Sequence, residues 1–267
     1  MPTSASCSFR LWLLTSSLVL LFWVIFAACG WLVFAFLANR LLENPRGDTV
    51  TGLFYHGARI YCRVVHRLVV EGRENIPTSR EPGPLIVVCN HTAGLDPVLL
   101  QASVPFPIRF MMATKMRLPI FEVFWEWAGI ISITTSGRDL GGVREALRHL
   151  RDGGVVGIFP EGAIERPPQV LVPFMAGTGI LIGKSGAKVL PIAITGTPYA
   201  AKAWGSLWRR SRSRLRVGPV VEFDRGTPAA AIVVELQAWF EKETGWPVGT
   251  RTAPTPTLKP DRQSEAG

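Results

Sequence analysis

Leu11 to Ala38 is a run of 28 residues without a charge, bounded by Arg10 and Arg40. As one helix it would reach about 42 Å at about 1.5 Å per residue, against a hydrocarbon core of roughly 30 Å. Tilt alone would have to reach about 45°, outside the usual range. Either the ends of the run sit in the headgroup zone, or Gly30 divides it into two helices inserted in one leaflet. Trp12, Trp23 and Trp31 suit interfacial anchoring. The stretch is too long for an ordinary secretory signal. Phe26-Ala27-Ala28-Cys29 faintly resembles a lipoprotein cleavage site, but the apolar run continues past it. This segment meets lipid, and the rest of the chain has to fold beside a membrane. Basic residues lie mainly after it, at Arg40, Arg46, Arg59, Arg63 and Arg67, against Arg10 before it. The positive-inside tendency therefore puts the long C-terminal part on the cytoplasmic side of an inner or cytoplasmic membrane.

Removing the membrane run and a polar tail from the 267 residues leaves about 200, enough for one sizeable domain. The net charge of +9 suits anionic lipid surfaces, nucleic acid or acidic substrates. No nucleic-acid motif accompanies it and a membrane run does, so membrane lipid is the expected partner. Cys7, Cys29, Cys62 and Cys89 are scattered, with neither metal-ligand spacing nor a disulfide framework, consistent with a reducing compartment and no metal.

Short apolar runs alternate with helical patterns from Val69 onward. Val69–Glu71, Leu85–Cys89, Arg109–Ala113, Ile130–Thr134, Val155–Phe159, Val189–Thr195 and Leu215–Phe223 read as strands. Leu53–Leu68, Asp96–Ser103, Ile120–Ala128, Leu140–Arg151, Thr178–Ser185 and Ala229–Glu243 read as helices, with Asp139 opening the fourth and Gly153-Gly154 closing it. In the first, Leu53, Ile60, Val64 and Leu68 share one side, with Arg59, Arg63 and Arg67 in a row beside them. The alternation predicts an α/β fold, a largely parallel central sheet covered by helices on both faces, with an N-terminal membrane-embedded helical segment. Three parts are expected: a membrane anchor over 1–48, a folded α/β domain over 49–247 and a disordered tail over 248–267. Trp204 to Trp208, followed by Arg209, Arg210, Arg212, Arg214 and Arg216, forms an aromatic-basic segment that suits either a solvated loop or a bilayer surface.

The chemistry is carried by Asn90-His91-Thr92-Ala93-Gly94-Leu95-Asp96, directly after the Leu85–Cys89 run. A strand ending there delivers His91 to the carboxyl edge of the sheet, and Asp96, before Pro97, opens the next helix. A carboxylate so placed accepts a hydrogen bond from one ring nitrogen and leaves the other free to take a proton. No Ser or Cys stands in nucleophilic register, so the nucleophile is expected to arrive with the substrate, as a hydroxyl or amine. Taken alone, the His and Asp also fit a structural histidine and a turn residue. Val155-Val156-Gly157-Ile158-Phe159-Pro160-Glu161-Gly162 is a second apolar run ending in a polar turn, so His91 and Glu161 can face one cleft at the strands' carboxyl ends. Gly162 permits close backbone approach to a ligand.

Asn90-His91 with Asp96, then Phe159-Pro160-Glu161-Gly162, then Val189-Leu190-Pro191-Ile192-Ala193-Ile194, in this order and spacing, resembles the glycerolipid acyltransferase family from about Val69 to Phe223. Its best-known members are 1-acylglycerol-3-phosphate acyltransferases. The resemblance implies transfer of a fatty acyl group from a thioester, with acyl-coenzyme A or acyl carrier protein as co-substrate and no resident cofactor. The acceptor is a lyso-glycerolipid; with 1-acylglycerol-3-phosphate the product is phosphatidic acid, a step of phospholipid biosynthesis. His91 is then the general base, Asp96 its orienting partner, and Glu161 and Gly162 hold the acceptor.

The cation positions depart from the family pattern. Where members commonly carry Arg after the strand matching Gly129–Ile133, this chain has Thr134-Thr135, and Arg138 is the nearest cation. After Phe-Pro-Glu-Gly the usual Arg position is Ile164, with Arg166 two further on, and Met175 stands near where members often have Lys or Arg. Lys115 matches a common family lysine. A phosphate-bearing acceptor would rely on Lys115, Arg138 and Arg166, because cations recognise phosphate. An acceptor without a terminal phosphate, such as a lyso-aminolipid, needs fewer. Two further readings stay open: a non-catalytic lipid-binding scaffold, and a hydrolase in which His91 activates water, against which the missing Gly-x-Ser-x-Gly elbow counts.

Overall fold

The computed structural model describes residues 4–134, 141–164, 167–200, 203–224 and 226–250, of which residues 4–18 are described as backbone only. The chain divides into two compact units, Met1–His56 and Gly57–Gly267.

In the first unit the apolar run is one continuous helix, α1 (Ser4–Leu42), so the expected alternative of a break at Gly30 is not adopted. A glycine inside a helix costs about 1 kcal/mol relative to alanine, too little to interrupt so long an apolar run. Val19–Leu42 is long and apolar enough to cross a membrane. The chain turns instead at Asn44-Pro45-Arg46-Gly47, where proline cannot continue a helix. Asn44 Oδ1 accepts from the Arg46 and Gly47 amides at 3.0 and 2.9 Å, and its Nδ2 donates to the carbonyls of Leu41 and Asp48 at 2.9 and 2.8 Å. Asp48 then caps α2 (Thr49–Val64), accepting from the Thr51 amide at 2.8 Å. Those bonds hold the Asp48 carboxyl below its usual range.

The second unit carries β1 (Val69–Glu71), β2 (Leu85–Cys89), α3 (Asp96–Ser103), β3 (Arg109–Ala113), α4 (Glu122–Ala128), β4 (Ile131–Ile133), α5 (Gly141–Arg151), β5 (Val155–Ile158), α6 (Ala176–Ser185), β6 (Lys188–Thr195), β7 (Arg214–Val217) and α7 (Ala229–Thr244). The seven strands form one sheet in the order β1-β7-β6-β2-β5-β3-β4. Every pairing is parallel except β6 with β7. β2 lies at the centre and is buried along its whole length. Its alternate residues feed two cores, as the period of two requires. Leu85, Val87 and Cys89 join Leu99 and Leu100 of α3 and Cys62 of α2 on one face. Ile86 and Val88 join Leu150 of α5, Leu181 of α6 and Phe240 of α7 on the other. The expected fold class is the one adopted.

Local departures have physical causes. Leu53, Ile60 and Val64 of α2 are exposed, and it is Ala58, Tyr61 and Cys62 that pack on the core. Of the four residues expected to share one side, Leu68, just past the end of the helix, is the one that packs against this core. The strand expected over Leu215–Phe223 stops at Val217, because Gly218-Pro219 interrupts the donor pattern of the ladder. Only a bridge between Val189 and Val221 continues it. The helix expected from Ile120 begins at Glu122, after a 3-10 turn over Pro119–Phe121. Val248 pairs with Leu171 and packs on the core, so ordered chain extends past the expected boundary at 247. Residues 251–267, and with them most of the expected tail, lie outside the described residues, as do Asp139 and Leu140.

Candidate active site

Parallel pairing sets the site. Val88 of β2 is in register with Ile158 of β5, so the two strands end side by side. The residues that follow, Asn90-His91 and Phe159-Pro160-Glu161, therefore emerge together at the carboxyl edge of the sheet, where α/β proteins gather their ligands.

His91 Nδ1 lies 2.9 Å from Asp96 Oδ2. The same oxygen accepts from the amides of Thr92 at 2.7 Å and Ala93 at 2.8 Å, and Asp96 Oδ1 accepts from the Thr92 hydroxyl at 3.0 Å. Asp96 is 0% exposed, so a charge there requires this set of donors. It opens α3 at its first residue, with Pro97 next, as the sequence leads one to expect. With both Asp96 oxygens accepting, Nδ1 carries the proton and Nε2 is the basic nitrogen. Nε2 has no hydrogen-bond partner among the described residues, and the side chain is 19% exposed. The ring is stacked on Phe159, centroids 4.2 Å apart and planes at 22°, which fixes its tilt.

Glu161 is fully buried, and its Oε1 accepts from the His91 amide at 3.3 Å. Two carboxylates thus flank the histidine, one on its ring and one on its backbone. Gly162 closes the Phe159–Gly162 turn through its amide to the Phe159 carbonyl at 3.0 Å, with φ at +69°. A side chain there would be strained, and its Cβ would stand 2.5 Å from Met175 Sδ. Met175 is drawn to this place by its amide, which donates to the Pro160 carbonyl at 2.8 Å.

Lys115 sits in a 3-10 turn, Thr114–Met116, at the carboxyl end of β3, the strand beside β5, and is exposed. It shares the sheet edge with His91 and Glu161. Arg138 and Arg166 lie outside the described residues. Cys89, next to the motif, is fully buried. Burial first, and the nearby Asp96 and Glu161 second, push its thiol well above the ordinary range, so it is a packing residue and a poor nucleophile. No group of three His, Cys, Asp or Glu side chains among the described residues could hold a metal ion.

Three supporting roles escaped the sequence reading, two of them played by residues of the quoted motifs. Asn90 bonds twice to Ile194 of β6, Nδ2 to its carbonyl at 3.0 Å and Oδ1 from its amide at 2.7 Å. Thr197, just past β6, donates to the Thr92 hydroxyl at 2.7 Å and so backs the Asp96 carboxylate. Phe159 supplies the ring beneath His91. A polar residue closing an apolar strand was a signal for Asn90; nothing local signals Thr197.

A sequence model described as Acyltransferase matches residues 67–195. The chain is 28% identical over 136 residues to a 1-acyl-sn-glycerol-3-phosphate acyltransferase of Borreliella burgdorferi, covering 49% of this chain and 52% of that protein. It thus spans about half the length of that relative. It is 35% identical over 199 residues to an N-acylphosphatidylethanolamine synthase of Arabidopsis thaliana, covering 66% of this chain and 70% of that protein. Among solved structures, the 1-acyl-sn-glycerophosphate acyltransferase PlsC of Thermotoga maritima superposes with a TM-score of 0.60 at 20% identity, over 75% of this chain and 80% of that one. That likeness speaks to the fold.

Proposed function

Since the chain belongs to the glycerolipid acyltransferase family, we propose that it moves a fatty acyl group from acyl-coenzyme A or acyl carrier protein to a lyso-glycerolipid. The first choice of acceptor is 1-acylglycerol-3-phosphate, giving phosphatidic acid. The observation that carries this is the His91–Asp96 pair: a histidine held by a fully buried, four-times hydrogen-bonded carboxylate, its side chain 19% exposed and its Nε2 without a partner among the described residues.

His91 Nε2 takes the proton of the acceptor hydroxyl as its oxygen attacks the thioester carbonyl. The tetrahedral intermediate then expels the thiolate, which recovers the proton from the imidazolium. Asp96 holds Nδ1–H throughout and stabilises the transient positive ring. General-base assistance of this kind contributes about 10²–10⁴-fold, and alignment of two substrates at one edge adds to it. Glu161 supports the acceptor side through the turn it anchors. Helix α1 holds the enzyme in the membrane, with the catalytic domain on the cytoplasmic side.

A second acceptor is favoured by Met175. An apolar sulfur lies against the Glu161-Gly162 turn, near where a phosphate acceptor calls for cations. The Arabidopsis thaliana relative is named for a product acylated on nitrogen, and an amine or aminolipid acceptor would use the same base. Membranes carrying wild type or His91→Ala, given labelled acyl-coenzyme A, lyso-lipids with and without a terminal phosphate, and an aminolipid, test both readings. An acylated lipid product lost in His91→Ala is expected, and the acceptor used decides between them. Failure with every acceptor, and again with acyl carrier protein, would turn the reading toward a non-catalytic lipid-binding scaffold; free fatty acid would mean a hydrolase.

A further inference from the structure

From the end of β3 into the first turn of α4 the chain leaves the carboxyl edge of the sheet and makes a lip of exposed apolar side chains. Ile120 is 83% exposed and Val123 82%, with Met116, Leu118, Phe121 and Phe124 exposed around them. The lip is a built part of the fold. Trp125 is buried beneath it and donates its indole N–H to the Leu118 carbonyl at 3.2 Å. Trp204 packs on the same base, with ring centroids 6.4 Å from Phe121 and 5.7 Å from Trp125. Trp204 belongs to the 3-10 segment Ala203–Trp208, whose last residue is 88% exposed and is followed by exposed Arg209, Arg210 and Arg212. Lys115 borders the lip on the side of β3.

A soluble surface rarely presents so many large apolar side chains together, and leaving them in water is unfavourable. Apolar side chains with tryptophan and cations at their margin match the layering of a bilayer with anionic headgroups. We propose that this lip is a membrane contact of the catalytic domain itself, separate from α1. Ile120 and Val123 enter the bilayer surface, and Trp208 with the arginines after it lies at the headgroups. The occupant is an anionic lipid surface, favoured by the net charge of +9. The lip starts at the sheet edge on which His91 opens, so a docked lip would present the cleft to lipids still held in the leaflet. The choice of occupant rests on the lipid acyl-transfer reading, but its test needs no turnover.

The test uses the full chain in vesicles containing anionic lipid, with Cys7 and Cys29 replaced by serine; Cys62 and Cys89 are buried. An environment-sensitive fluorophore is placed at Ile120→Cys or Val123→Cys, and at Glu235→Cys on the exposed face of α7 as the aqueous control. A chain keeping only Cys29 reports on α1. Blue-shifted emission at 120 and 123, lost on adding lipids that carry a quencher, is expected, with the probe at 235 unchanged. Water-like emission at 120 and 123 with a quenched probe at Cys29 overturns the lip and leaves α1 in the membrane. Emission shielded from water but untouched by lipid quencher overturns it in favour of a protein covering the lip. Water-like emission at Cys29 as well would sink both the lip and the membrane placement of α1, whereas lost acyl transfer with quenched lip probes would sink only the enzymatic reading.

Discussion

Asn90 and Ile194 exchange two hydrogen bonds, 2.7 and 3.0 Å long, across the carboxyl ends of β2 and β6. They continue the β2–β6 ladder one step past its last paired residues with a side chain in place of backbone. All four atoms are buried, and each buried polar group left unpaired costs roughly 1–3 kcal/mol. Asn90→Ala is therefore expected to lower unfolding stability by roughly that amount or more, and to loosen His91. Denaturant unfolding in detergent micelles checks it; a loss below half a kcal/mol, on the order of a surface change, would mean the pair is incidental.

Thr197 acts on His91 through two intermediaries, the Thr92 hydroxyl and Asp96. It is a positioning residue. Thr197→Val removes one donor, worth about 1 kcal/mol, which corresponds to about fivefold in kcat. The KM for the acceptor stays unchanged, the pH profile of kcat shifts, and Thr197→Ser restores both. A change confined to KM would show that Thr197 bears on substrate binding instead.

Gly162 is required by its φ of +69° more than by Met175, whose sulfur sits at the end of a flexible side chain and can move. Gly162→Ala should cost roughly 1–2 kcal/mol, the usual penalty of left-handed backbone for an L-residue. Adding Met175→Ala should recover only a small part of it. Full recovery in the double variant would assign the cost to the contact with sulfur.

His66 is buried with both ring nitrogens engaged, Nε2 at 2.9 Å from the Tyr61 hydroxyl and Nδ1 at 2.8 Å from Ser211 Oγ. Tyr61 donates to the Leu207 carbonyl, so Nε2 carries the proton and Nδ1 accepts from Ser211. Burial lowers the affinity of this ring for a second proton. Burial first, and then Arg109, do the same for His149. The unfolded chain thus binds more protons than the folded one. Stability is complete above the ordinary histidine value of about 6.5 and declines as pH falls below it toward the lower folded values. Thermal unfolding at pH 7.5 and pH 5.5 should show that decline in wild type, and a smaller one in His66→Gln, which leaves the His149 part. An equal decline in both proteins would remove His66 from the account.

The central strands were legible because β2, β5 and β6 are short apolar runs closed by polar turns, and such runs have few alternatives at the centre of an α/β sheet. The His91–Asp96 bond was legible for a different reason. Its partners are five residues apart, and the turn that leads into α3 brings them together whatever the rest of the chain does. The outer elements were less so. α2 has apolar residues on two sides, and its pattern does not say which side meets the sheet.

Sequence by itself determined what is local: the apolar character of the long N-terminal run, the endings of β2 and β6, the histidine–aspartate turn and the glycine at 162. Only the tertiary structure decided which endings meet. Glu161 reaches the His91 amide from 70 positions away because β5 pairs beside β2, and Thr197 reaches Thr92 from 105 away because β6 pairs on its other side. Residue periodicity records that a strand is buried but not which strand is its neighbour. That choice is made by strand order, set by how the connecting helices pack on the two faces, and no short stretch of sequence contains it.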